Sequence, residues 1–477
     1  MPVRGGRSRW CVSEELALAD SESTEFFPQL QQAVAPLAGG GFVAAWIEGT
    51  HGNGRVRMQW LDPSGRPLGP AGGLVVAGPP DDVDSPVAVA GSSEDAYVAF
   101  RSNGSVVVQR FVAGRPRWPG ASVPAVDGSG EVAAEPHLVA NPGVGVFVCF
   151  ESWAGGPVLD IRCQSLDSSG ERLWTSRGVS AGDAGAEVRV LPRGVSDGEG
   201  GLLLFWRNQR DLRLENPGPM LMEGQRFAAD GSRPWGPAPK VVRTTNLASS
   251  NGYTYTSFQV VSDGGGGAVL AFNDWTGVSD RALDVLAQRV SGAGGLLWGE
   301  GAVVTGVDGP QQHDQTIGTG DGGAVIAVDD IDPASGRFRL LLFRLAPDGA
   351  HAWSPSGVPL ADPGSFSDYA AFGSYDGGVL RLAWTRQNVP AAWDIDVPFA
   401  TFDAAGARTG TTLLTRAPGA RFLRGLAFSP VTGSVMAVWD DRRKGTFDDL
   451  DAGAVLLFGA MACPTAPAAD GAAPSRP

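Results

Sequence analysis

Histidine, cysteine and tyrosine are scarce in this chain of 477 residues, with 4, 4 and 5 copies. His51, His137, His313 and His351 are the only imidazoles, and no nucleophile–base–orienter set stands out around them. No Gly-rich loop follows a strand and opens a helix, so nucleotide chemistry is not expected. No apolar run approaches the roughly 18 residues of a membrane span. No segment holds a 3.6-residue apolar period, so almost no helix is expected. Basic charge is the minority, with a formal net charge of −14. That disfavours phosphate backbones and anionic lipid surfaces, so neither nucleic acid nor membrane insertion is expected.

Glycine (68) and proline (35) are abundant, as suits many tight turns. They punctuate a repeat that is clearest at Leu283 to Val304: an alternating strand, a Gly turn, a Trp and a second strand. Gln288-Arg289-Val290 is followed by Gly294 and Trp298. The same order recurs at Gln109-Arg110-Phe111 with Gly114 and Trp118, at Gln164-Ser165-Leu166 with Gly170 and Trp174, and at Gln225-Arg226-Phe227 with Gly231 and Trp235. Phe343-Arg344-Leu345 with Gly349 and Trp353 is a fifth copy; Gln59-Trp60-Leu61 with Gly65 and Thr401-Phe402-Asp403 with Gly406 are weaker. Upstream of each lies an apolar run ending in a large residue: Trp46, Phe100, Phe150, Trp206, Phe272, Val328, Trp384 and Trp439. These ends are 50 to 66 residues apart, and each interval has room for about four short strands.

The expected fold is therefore all-β: a β-propeller of eight four-stranded blades. We letter the strands A to D from the axis outward; segments such as SPVAVAG and SFQVVSD supply strand A. The blades are expected at about 21–82, 83–132, 133–185, 186–250, 251–308, 309–364, 365–417 and 418–463. The last repeat lacks a strand D, and residues 1–20 resemble the missing piece, so they are expected to close the ring and remove an exposed sheet edge. Residues 464–477 read as a disordered tail. Two insertions, Arg207 to Met222 and Arg243 to Tyr255, account for the longest interval.

Ring closure makes neighbours of Cys11 and Cys463, and a ring-locking disulfide is expected there. Cys149 and Cys163 face each other across a B–C hairpin and are the second candidate pair; the alternative is four buried thiols. MPVRGGRSRW contains no apolar signal core. The cysteines nevertheless favour an extracellular, periplasmic or envelope setting, with the export signal outside this sequence.

Eleven of the 14 tryptophans fall on repeat positions and are assigned to packing between blades. Trp153, Trp275 and Trp393 fall outside the pattern, near the B–C loops that open on one face around the axis. A Trp there stacks on a sugar ring or grips a partner, unless it folds back over its own blade. Polar residues follow strand B at the same end, among them Asp274, Asp330, Arg386, Asp441 and Arg442. With the three tryptophans they form the candidate ligand-binding set, the alternative being that Asp and Arg pair there and serve the turn. The carboxylate clusters at Asp329 to Gly336 and Asp448 to Gly453 look like calcium loops but lack the terminal Glu of the twelve-residue form, so no cofactor is assigned. Paired carboxylates for glycoside hydrolysis leave no mark of their separation in a sequence.

GGAVLAFNDW with LDVLAQRVSGAGGLLWGEG, and VMAVWDDRRKGTFDDLDAG, resemble the β-propeller repeats of secreted or surface-attached bacterial proteins over nearly the whole chain. More distantly the repeats are similar to sialidase-type propellers with Asp-box turns, from which they depart by four residues from Gly to Trp instead of three and by the missing Ser and Thr. The resemblance implies a binding or adhesion scaffold, with no catalytic residues. We accordingly expect a non-catalytic propeller that holds a glycan or protein partner on its B–C loop face. The alternatives are a glycan-active hydrolase or lyase using loop carboxylates, and a structural module of a larger surface assembly.

Overall fold

The computed structural model describes residues 10–12, 16–17, 32–48, 54–91, 95–120, 122–126, 132–153, 155, 158–182, 188–209, 220–245, 258–275, 283–305, 311–332, 335–360, 366–388, 395–415, 421–441 and 456–464. Its described elements are all β-strands, arranged in eight antiparallel sheets of four or five strands. This is a β-propeller. Blade five shows the plan: strand A (Phe258–Ser262), B (Ala268–Trp275), C (Leu283–Val290) and D (Ala302–Val303), in that spatial order. Each innermost strand packs beside the next, and that of blade eight (Arg421–Phe428) beside that of blade one (Gln32–Pro36). Trp10–Val12 and Leu16–Ala17 pair with Leu456–Pro464 in the last blade.

Strand B reads as a continuous apolar run because both of its faces are covered. In blade four, Leu202, Leu204 and Trp206 pack with Phe147 and Cys149 of blade three. Leu203 and Phe205, on the opposite face, pack with Leu270 and Phe272 of blade five. The core is thus a series of seams, each fed by two neighbouring sheets, and one seam joins Met436 and Val438 of blade eight to Phe42 and Trp46 of blade one. Each large side chain buried this way contributes about 1.5–3 kcal/mol.

The repeated Gln, Arg, Gly and Trp all act at the outer turns. Gln288 is 1% exposed; its Oε1 accepts the backbone N–H of Arg289 and Trp298, and its Nε2 donates to the Gly299 carbonyl. The amide therefore does the work of a missing ladder rung between strand C and the turn. Trp298 then donates from Nε1 to the Pro347 carbonyl in the C–D turn of blade six, at 3.0 Å. Trp118, Trp174, Trp235 and Trp353 make the same bond to Ser168, Ala229, Gly292 and Ala404 of the following blade. The turn glycine lies flat on the preceding Trp: Gly349 has φ +85°, and a Cβ there would come within 2.8 Å of the Trp298 ring. The Arg closes the set. Arg289 pairs with Asp263 of its own blade at 2.9 Å and donates to Pro347 of the next.

Of the two candidate disulfides, the B–C hairpin pair is bonded: Cys149–Cys163 joins register partners with Cα atoms 4.1 Å apart. Cys11 and Cys463 are register partners along the closing strand, and their side chains lie outside the described residues.

Candidate functional site

Strand B runs two to four residues further than its apolar stretch. Glu48, Glu151, Asn273, Asp274, Asp330 and Arg386 lie within the strands and not in the following loops, as do the backbones of Asp441, Trp153 and Trp275. The physical reason is that ladder hydrogen bonds do not require apolar side chains once each polar group has its own partner.

Those partners fall into two alternating sets. One set is ionic and lies between the sheets. Asp274, 1% exposed, takes Arg243 of blade four at 2.8 Å. Asp330, also 1% exposed, takes Arg339 at 2.6 Å, and Gln311 donates to its other oxygen. Arg386 holds Asp368 through Nε at 2.8 Å and lies over the Trp384 ring. Glu48 pairs with Arg57 at 2.6 Å. Asp332, within the stretch that resembles a calcium loop, accepts from Ser335 and pairs with Arg339.

The other set faces strand A of the following blade. Strand A carries a register shift in blades two, three, four, six, seven and eight. Glu135, Leu191 and Ala370 take positive φ at these bulges, at 48°, 58° and 54°. A bulge turns one backbone N–H out of the ladder, and in blades four, six, seven and eight a side chain of the preceding blade accepts it. Glu151 accepts Leu191 N at 2.8 Å, Asn273 accepts His313 N at 2.7 Å, and Thr385 accepts Leu423 N at 3.1 Å. These three acceptors occupy the same strand-B position in blades three, five and seven.

Blade six departs from this rule. Its residue at that position is Asp329, yet the Ala371 N–H of blade seven is accepted by Asp314, on strand A, at 2.5 Å. Asp329 is left over, with Oδ1 buried and without a partner. Burial pushes the Asp314 carboxyl up to about 7. Burial, and then the neighbouring charge of Asp314, hold Asp329 well above the usual carboxylate range. Both carboxyls therefore hold their protons to higher pH than a free carboxylate does. Asn273 Nδ2, in blade five, is likewise buried and without a partner.

The histidines near the axis are held in hydrogen bonds. Gly194 N donates to His137 Nε2 at 3.0 Å, and His313 Nε2 lies 2.7 Å from the Thr316 hydroxyl. Burial pushes both rings down to about 3, so they are neutral at ordinary pH. Arg207, 3% exposed in blade four, lies against the Met220 sulfur, and burial pulls it down to about 10.

Asp274, Asp330 and Arg386 are tied into ion pairs in three blades. Trp153 ends strand B of blade three and is 44% exposed. Trp275 ends strand B of blade five; its side chain, that of Asp441, and all of Trp393 and Arg442 lie outside the described residues. Asp314 and its effect on Asp329 escape a reading of the sequence, because a bulge shifts Asp314 out of the alternation that would have marked it. No group of three metal-ligating side chains occurs among the described residues.

The chain matches no protein-family model and no curated protein sequence. Among solved structures, prolyl oligopeptidase B from Galerina marginata is similar at 10% identity and a TM-score of 0.45, over 92% of this chain and 56% of that one. This chain thus spans little more than half the length of the oligopeptidase. A polysaccharide lyase, an ulvan lyase bound to a GlcA–Rha3S saccharide, is similar at 9% identity and a TM-score of 0.45, over 76% and 89%. An α-L-arabinofuranosidase from Lactobacillus brevis is similar at 12% identity and a TM-score of 0.31, over 59% and 92%. Likenesses this distant assign no activity to the chain.

Proposed function

We propose that this propeller is a binding scaffold that takes a glycan at the axial end where strands B finish, in an extracellular or envelope setting. The observation that carries the reading is the surplus of blade six: Asp329 is released from the latch that its counterparts serve, with an acceptor and, on the adjacent blade, the Asn273 donor both unfilled. Sugar hydroxyls supply a donor and an acceptor on one group and satisfy both. Exposed Trp153 at the same end offers an apolar face. The Cys149–Cys163 disulfide supports the oxidising setting.

A second reading is favoured by the same pair. Asp314 and Asp329 hold their protons above the usual carboxylate range, which suits a general acid for cleavage of a glycosidic link. One experiment separates the two: a glycan array with products read from the same wells. Binding without products, lost in Asp329→Asn and weakened in Trp153→Ala, supports the scaffold. Products that vanish in Asp329→Asn while binding persists promote the enzyme. Silence on both counts sinks the glycan reading and leaves a protein partner or a structural role.

A further inference from the structure

The second unusual place lies at the other end of the sheets, in the seam between blades two and three. In blades four and five the residue opening the A–B turn is an aspartate with three tasks. Asp197 Oδ1 accepts the N–H of Glu199 and of Gly201, and its Oδ2 takes Arg226 at 2.8 Å. Asp263 does the same with Gly265, Gly267 and Arg289. In blade three, Asn141 and Ser165 stand where the aspartate and arginine would be. Asn141 Oδ1 and Ser165 Oγ are buried, and neither has a partner. In blade two the turn opens with Gly91, and the clamp is rebuilt from Asp95, which takes Arg110 at 2.5 Å.

Between these two altered turns is a cleft of about 290 Å³, lined by Asp95, Tyr97, Arg110, Asn141, Gly143 and the Ser168 backbone among others. Asn141 and Tyr97 are each 3% exposed. The Arg110 and Asp95 charges compensate one another, and Arg110 is further anchored on the Ser168 carbonyl at 2.6 Å. A charged guest would be desolvated here without a counter-ion. Burial raises the Tyr97 phenol, which stays a neutral donor, while Asn141 Oδ1 is an unfilled acceptor. The volume is at the lower end of ligand pockets.

We propose that this cleft binds a neutral, hydroxyl-bearing ligand the size of one sugar ring. The inference is independent of the axial reading, because it uses none of the same residues.

The test titrates the full chain with D-glucose, D-galactose, D-mannose and L-rhamnose, and with D-glucuronate as the anionic counterpart, by saturation-transfer NMR and calorimetry. At least one neutral sugar should bind with a Kd on the order of millimolar, and glucuronate about tenfold more weakly than glucose. Val144→Trp, on the turn at the mouth, should abolish binding. Asn141→Leu and Tyr97→Phe should weaken it about five- to tenfold. Tyr97→Phe keeps the ring that packs on Trp118, so it reports on the ligand even if the bulkier variant lowers the melting temperature. Binding that survives Val144→Trp in a chain that also carries Asp329→Asn would overturn the proposal, as would a preference for glucuronate. So would no saturation transfer at about ten times the expected Kd.

Discussion

The outer turns and the inner seam solve the same problem in different ways. Both join one blade to the next through a hydrogen bond to a backbone group that would otherwise be buried unmet. At the outer turns the residues hardly vary: a Trp donates to a carbonyl of the next turn, and a glycine is flattened beneath it. At the inner seam the donor is a backbone N–H at a bulge, and the acceptor is Glu151, Asn273, Thr385 or Asp314. The outer solution is shape-limited, because only an indole reaches that far and only a glycine yields to it. The inner one needs nothing but an acceptor, so its chemistry is left open to vary. Function has more freedom at the axis than at the rim.

The contrast breaks most readily at the rim. Trp298→Ala removes a ring that is 8% exposed, together with its cross-blade bond; it should cost about 4 kcal/mol in urea denaturation. A loss below about 1 kcal/mol would show that the latch is ornamental. Reducing Cys149–Cys163, which closes a 14-residue separation, should cost roughly 3 kcal/mol on the loop-entropy model, read as the shift in midpoint with and without reductant.

Gly349→Ala should cost about 2 kcal/mol, since φ is +85° and the Trp298 ring lies within 2.8 Å of the new Cβ. At the inner seam, Thr385→Val keeps the shape but strands the Leu423 N–H, for a loss of about 1–2 kcal/mol. Thr385→Ser should restore most of it, and equal losses in both variants would mean that packing and not the bond is at stake.

The finest distinction is made by pH. Asp314 holds its proton more tightly folded than unfolded, so its contribution to stability is full below about 4 and declines as pH rises towards about 7. Urea midpoints should fall over that window in the unmodified chain relative to Asp314→Asn, which keeps an acceptor for Ala371. Parallel profiles would place the titration elsewhere.

The rim was legible from the chain itself because its parts recur at fixed offsets: Gln288, Arg289, Gly294 and Trp298 keep the spacing of their counterparts, and each has a job set by local turn geometry. The eight apolar runs announced strand B for a similar reason, since a sheet covered on both faces needs an unbroken run. The polar ends of those strands were not legible as strand, because their pairing depends on partners such as Arg243 for Asp274, a blade away. The same holds for the inner acceptors, whose donors belong to a bulge about 40 residues downstream in the case of His313.

What the sequence determined alone is the repeat, the all-β class and packing tryptophans such as Trp46, Trp206, Trp298 and Trp384, since local spacing and period carry that information. Only the tertiary structure decided that Asp314 displaces Asp329 from the seam, that Asn141 is parted from an arginine, and that Cys149 meets Cys163. Each of those outcomes turns on which strands are neighbours and on where a bulge shifts the register, and neither is written in the spacing of residues along one blade.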